Sequence, residues 1–251
     1  MGLQVTNNKP AWLILFTIIV ATINPAAAED NTGTQWSITP YAWFPDTTVN
    51  LAFQDTNIGA GEIRFKDVLD VIDSAFMLHI EGGRGNWSAF TDITYISTSD
   101  TTERELLTVD ADKEQLLIDA VVAYWPQGVG SPLSVFGGVR YSGLDDEYRV
   151  SRDDTELGTQ RSSETYYDAL VGVRYRFDIS DRWAVLTRAD YSAGDSEAGF
   201  LLRANLAYTV GRQRQNRLLF GYQHKQAEYR DGDLTLDLRL SGFMAGFNFR
   251  F

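Results

Sequence analysis

Six pairs of aromatic residues in this chain lie eight positions apart: Trp36 and Phe44, Trp87 and Tyr95, Tyr167 and Tyr175, Trp183 and Tyr191, Phe200 and Tyr208, and Phe243 and Phe251. Each pair falls on the apolar face of a segment whose side chains alternate. In residues 167–177, Tyr167, Ala169, Val171, Val173, Tyr175 and Phe177 share one face. Asp168, Gly172, Arg174 and Arg176 share the other, with Leu170 as the apolar exception. Residues 183–191 and 200–210 repeat the pattern. Alternation of period two marks β-strands. It fits a water-soluble sheet with its apolar face inward, or a membrane barrel with that face toward lipid and a polar lumen. The aromatics decide between them. Eight strand residues run about 26 Å, or roughly 20 Å along the membrane normal when tilted by ~40°, close to the ~25 Å apolar band between two interfacial girdles. A soluble core has no reason to place aromatics at both ends and small aliphatics between.

The turns alternate in the same sense. Short ones lie at residues 84–86, 126–132, 180–181 and 211–216; mostly longer, acidic connections lie near 100–114, 145–164, 194–199 and 225–233. Short periplasmic turns and long external loops are the habit of transmembrane barrels. The expected fold is therefore all-β: an antiparallel up-and-down transmembrane β-barrel of about ten strands, both termini periplasmic. Eight or twelve strands are the alternatives, since residues 48–53 and 62–65 are also extended and can form an extra hairpin in the first loop. In that loop Phe65, Val68, Leu69 and Ile72 recur at helical spacing, with Lys66, Asp67, Asp70 and Asp73 opposite. This short amphipathic helix is too short to stand alone. It is either a lid on the rim or a plug in the mouth.

Residues 1–28 read as a secretory signal, with Lys9 before an apolar run over 11–21 and Ala26-Ala27-Ala28 before Glu29. The run is short for a transmembrane helix. The barrel domain is then residues 29–251, a length that suits one domain. The chain has no cysteine and a net charge of −12, which leaves no thiol chemistry and argues against a nucleic-acid partner.

The chain closes with "SGFMAGFNFRF", in which Phe243, Phe247, Phe249 and Phe251 alternate with Met244, Gly246, Asn248 and Arg250. Phase puts the phenylalanines toward lipid. Residues 234–240 alternate in the opposite phase, so the strand is expected to leave the bilayer near Ser241–Gly242, with room for a bulge. This ending resembles that of bacterial outer-membrane proteins, in which the last strand is a sorting signal for the barrel-assembly machinery. With "WSITPYAWFP", "FKDVLDVIDSAFMLHIEGGRGNWSAFTDITYISTS" and "GYQHKQAEYRDGDLTLDLRLSGFMAGFNFRF", most of the chain resembles an uncharacterised group of outer-membrane β-barrels of the small Opa-like and OmpW-like class. The resemblance implies a fold and a location. It carries over no functional residue.

The chemistry-bearing residues are few. Of two histidines, His79 has lumen phase and His224 lies on the apolar phase near the rim; neither stands beside a nucleophile motif. His224 is the first suspect should the barrel be a rim-sited hydrolase. Asp145, Asp146, Glu147, Asp153, Asp154 and Glu156 have the oxygens for a cation but no calcium-loop spacing, so solvation or cation bridging to lipopolysaccharide suits them better. No cofactor or metal is expected. The inward charges say more. Glu81, Asp92 and Asp119 lie on the second to fourth strands; Arg140, Arg174, Arg188 and Arg203 lie on the fifth to eighth, with Asp168, Arg176 and Asp190 among them. An acidic wall thus faces a mainly basic one. Either they zip across a narrow lumen, or they impose a transverse field on a pore. The expectation is a non-enzymatic outer-membrane barrel, structural or a narrow passage for small polar solutes or ions, in contact with outer-membrane lipid and lipopolysaccharide. The alternative is an adhesin-like protein that meets a host or envelope partner through its acidic loops.

Overall fold

The structure is a computed structural model and describes residues 33–251, apart from 55, 105–106, 153–154 and 212–214. The signal segment over 1–28 lies outside the described residues, as do Asp153 and Asp154. Eleven strands follow one another: β1 (Gln35–Phe53), β2 (Thr56–Ile63), β3 (Ile72–Arg84), β4 (Trp87–Arg104), β5 (Leu107–Tyr124), β6 (Leu133–Arg152), β7 (Thr155–Asp178), β8 (Trp183–Gly194), β9 (Ala198–Val210), β10 (Asn216–Asp231) and β11 (Leu234–Arg250). From β3 onward each strand pairs antiparallel with the next, and β11 pairs with β1 along its length. β3 pairs with β1 only from Gln35–Gly83 to Pro40–Leu78. Beyond Thr47 that side of β1 is taken by β2. The closed ring is therefore ten strands, and β2 is the extra hairpin arm.

The register makes the girdles. At the short-turn end Trp87 faces Tyr124, and Trp183 faces Tyr208, with ring centroids 5.0 and 4.6 Å apart. At the other end Tyr141 faces Tyr167, Tyr191 faces Phe200, and Phe243 lies between Phe44 and Tyr222. Most of these rings are exposed, Phe243 most of all at 73 %, while Tyr141 and Tyr208 are half-buried. Cross-strand aromatic pairs also hold register, at roughly 0.2–1 kcal/mol each.

Three expectations change. The long connections are strand: β4–β5 and β6–β7 continue as paired hairpins to Arg104–Leu107 and Arg152–Thr155. No bulge interrupts β11 near Ser241, where both its ladders run unshifted. The faces keep their phase while polarity swaps. Beyond Phe243, Ser241, Arg239 and Asp237 face outward, and Leu240 packs inward against Met244 and Trp43. Outside the bilayer the outer face meets water, so the apolar side turns in. The helix α1 is Phe65–Val68, one turn, and Ile72 belongs to β3. It sits beside β1, with Phe65 against lipid-facing Phe44 at 5.1 Å and its N–H donating to Asp46. α1 is thus placed at the outer rim and not inside the mouth.

On the projecting β6–β7 hairpin, Glu147 accepts from Arg149 at 2.8 Å and from Arg161 at 2.9 Å. These two guanidiniums, Arg161 first, hold its carboxyl down at about 2. A depressed carboxyl contributes stability above its unfolded value and loses it as pH falls through the folded one. The pairing should thus persist at pH 4 and be half lost near pH 2. A carboxyl-detected NMR titration should place the Glu147 midpoint near 2 and move it upward in Arg161→Ala; an unchanged midpoint in the variant would refute the assignment.

Candidate functional site

Alternation turns one charged side chain after another into the lumen, where the ring closes around them. Four carboxylates and four guanidiniums meet at mid-barrel. Glu81 on β3 takes a two-pronged contact from Arg174 on β7, at 2.8 and 3.0 Å. Asp119 on β5 takes another from Arg140, at 2.7 and 2.9 Å, and a third bond from Arg188 at 2.8 Å. Asp190 accepts from Arg188 at 2.6 Å and from Arg140 at 3.1 Å. Asp92 on β4 receives Arg188 at 3.3 Å, Arg203 at 3.4 Å and the Tyr41 hydroxyl at 2.5 Å. β4 and β9 stand five places apart in a ring of ten, so the Asp92–Arg203 pair spans the diameter. Among these eight the charges sum to zero, and the half-buried Lys225 side chain on β10, on the lumen face with Gln223, lies near Arg140, Asp119, Asp190 and Arg188. Asp92, Asp119, Arg140, Arg188 and Asp190 are buried, none more than 6 % exposed.

Aromatic rings support the cations from within. Phe90 and Phe136 meet edge to face at 5.5 Å. The Arg174 guanidinium lies 4.6 Å from the Phe90 centroid and 5.0 Å from Trp125; Arg188 lies 5.4 and 5.3 Å from Phe90 and Phe136. Cation–π contacts of this kind add ~0.5–2 kcal/mol where desolvated. Gly172 makes the room: a Cβ there would stand 2.4 Å from the Phe136 ring tip. Leu170, the exception on the lumen face, packs in the same apolar cluster at 1 % exposure.

Of the ten expected lumen charges, eight form this network: Glu81, Asp92, Asp119, Arg140, Arg174, Arg188, Asp190 and Arg203. Asp168 faces inward but binds Ser196, taking its N–H at 2.9 Å and its hydroxyl at 2.6 Å, and so ties down the β8–β9 turn. Arg176 lies nearer the short-turn end, paired with Asp178 at 2.9 Å and donating to the Gly130 carbonyl at 2.6 Å. Tyr41 and Gln223, which accepts from Arg203 at 2.6 Å, carry no charge, so the pattern of inward charges in the sequence does not mark them. Phe90 and Phe136 share phase with Asp92 and Arg140, a signal that was present. His79 is wedged between Asp92 and Glu81 at 3.5 and 3.7 Å. His224 faces outward against Ser241 at 2.6 Å, with no carboxylate joined to it among the described residues. No three histidine, aspartate or glutamate side chains there are grouped to hold a metal ion.

The network divides the lumen. On the long-strand side lies an apolar cluster of Trp43, Met77 and Met244, flanked by Tyr41, Ile96 and Leu240. On the short-turn side is a vestibule of about 220 Å³ with Glu81, Arg174, Arg188 and Arg203 at its inner end.

Among solved structures, the outer-membrane protease OmpT of Escherichia coli superposes with a TM-score of 0.54 at 7% identity, over 90% of this chain and 99% of that one. The fold is that of the outer-membrane β-barrels. The attachment invasion locus protein Ail of Yersinia pestis (TM-score 0.36, 10% identity, 86% and 99% covered) and OprG of Pseudomonas aeruginosa (0.34, 12%, 88% and 96%) are also similar. No family model matches the chain, and neither does any curated protein sequence.

Proposed function

We propose that this is a bacterial outer-membrane barrel, its termini in the periplasm, with a lumen closed at mid-bilayer by an ion-pair plug. The observation that carries this is the network spanning the full diameter from Asp92 to Arg203. The barrel serves as a structural element of the envelope, or as a narrow passage for small polar solutes whose opening requires the plug to part. A hydrolase reading finds no nucleophile, histidine and carboxylate joined at the rim among the described residues; the proteolytic activity named for OmpT is that protein's. A second reading draws on the β6–β7 hairpin. From Tyr141 to Arg152 it runs about 36 Å past the girdle, and its charged surface suits contact with a host or envelope partner.

Sugar efflux from proteoliposomes tests the closed lumen. Wild-type vesicles should release small sugars no faster than protein-free ones. Release graded by sugar size would show an open pore instead.

Assembly tests the placement. The mature chain should fractionate with the outer membrane and run as a compact, heat-modifiable band. Changing Phe249 and Phe251 to serine should reduce that band severalfold while export continues, because the last strand then loses two lipid-facing rings. Undiminished folded barrel in the variant would contradict the sorting role.

A further inference from the structure

The vestibule holds arginines that its ion pairs leave unmatched. Arg174 is matched by Glu81, Arg188 and Arg203 by the buried aspartates, and Arg176 by Asp178. Two further arginines line the same cavity, Arg217 on β10 and Arg250 on β11. Neither has a carboxylate within ion-pair distance among the described residues. Arg217 stands opposite Asn248 in the ladder, and Arg250 is the next residue on that face of β11. The two are diagonal cross-strand neighbours, about 7–8 Å apart at the backbone. The Ser131 hydroxyl, buried beside the cavity, has no hydrogen-bond partner.

We propose that this vestibule is a binding site for a small phosphate-bearing anion, held between Arg217 and Arg250 with Arg176 and the Ser131 hydroxyl in reach. Two guanidiniums left partly desolvated and mutually repelling are unfavourable without a counter-charge. Their planar forks match the oxygens of a phosphate group in two-pronged fashion. The cavity is smaller than the roughly 300–1,000 Å³ of drug-sized ligand sites, so inorganic phosphate, a small phosphomonoester or a single headgroup phosphate fits and a larger solute does not. The molecule as a whole is acidic, at −12, and its projecting hairpins carry much of that charge. Its field therefore disfavours anions at the long-strand end and favours them at this local cationic one, which is the periplasmic end in the orientation proposed above.

Calorimetric titration of the purified barrel, in nonionic detergent free of phosphate, tests the site without reference to conductance or orientation. Inorganic phosphate and glycerol 3-phosphate are the probes for a free ligand. Total phosphorus co-purifying with the barrel is the probe for a lipid headgroup. Saturable binding of a free probe, weakened at least tenfold in Arg217→Gln/Arg250→Gln and unchanged in Arg239→Gln on the outer surface, supports a soluble anion. About one phosphorus per wild-type barrel, absent from the double variant, supports a headgroup. Because the variant removes two repelling charges, its thermal unfolding without phosphate should lie at or above that of wild type. Phosphate should raise the unfolding temperature of the wild type alone. Neither saturable binding nor co-purified phosphorus, or binding indifferent to both arginines, overturns the proposal.

Discussion

Asp119→Ala is expected to lower the unfolding free energy by about 3–5 kcal/mol, the cost of breaking a buried pair from one side. Asp119 is 2 % exposed and accepts from two arginines, Arg140 and Arg188. Its removal leaves Arg140 with Asp190 as its one carboxylate partner among the described residues and takes one negative charge from the lumen. Water cannot repay the loss where aromatic rings and packed side chains fill the bore. The measurement is a urea titration in lipid vesicles, followed by tryptophan fluorescence. Arg149→Ala, on the projecting hairpin where its side chain is 46 % exposed, is the internal contrast. Exposed pairs there are worth about 0–1 kcal/mol. Equal, small losses in the two variants would mean that the network is as well solvated as the surface, and that the lumen is open.

Removing Arg174 and Arg188 together should open the barrel. Arg174 is the two-pronged partner of Glu81, and Arg188 touches Asp92, Asp119 and Asp190. Truncating both to alanine frees the space above Phe90 and Phe136 and removes two positive charges from the bore while leaving every carboxylate in place. A flickering conductance should appear, larger than any in the wild type, with preference for cations and a lower unfolding temperature. Flicker is expected because Arg140 and Arg203 remain and can re-pair with the surplus carboxylates. An anion preference would contradict that loss of positive charge.

Period-two alternation and the eight-residue aromatic spacing made the barrel legible, because lipid imposes both at once on every crossing strand. The ten strands expected are the ten of the closed ring, β1 and β3 to β11. What alternation could not show was length. The ladder does not stop at the membrane surface, and acidic residues such as Asp145 and Glu147 read as loop although backbone pairing and cross-strand arginines keep them in strand. The helix was overread because Ile72 continues the helical spacing while its backbone is already in β3. At the site, eight of the ten charges that phase assigns to the lumen join one network of ion pairs. Pairing depends on height along the barrel as well as phase. Asp168 sits high enough to meet Ser196, and Arg176 low enough to meet Asp178. The excess of Arg217 and Arg250 depends on which carboxylates lie within reach across strands, which a one-dimensional pattern does not carry.

Single-channel recording of the wild-type barrel in a planar bilayer tests the closed lumen most directly. With Glu81, Asp92, Asp119 and Asp190 matched to Arg140, Arg174, Arg188 and Arg203 across the bore, the record should show no steps, or only rare and small ones, at moderate voltage. Large, long-lived, ohmic steps from the unaltered protein would contradict the account, since they require a water-filled path where the structure places neutralised charge pairs.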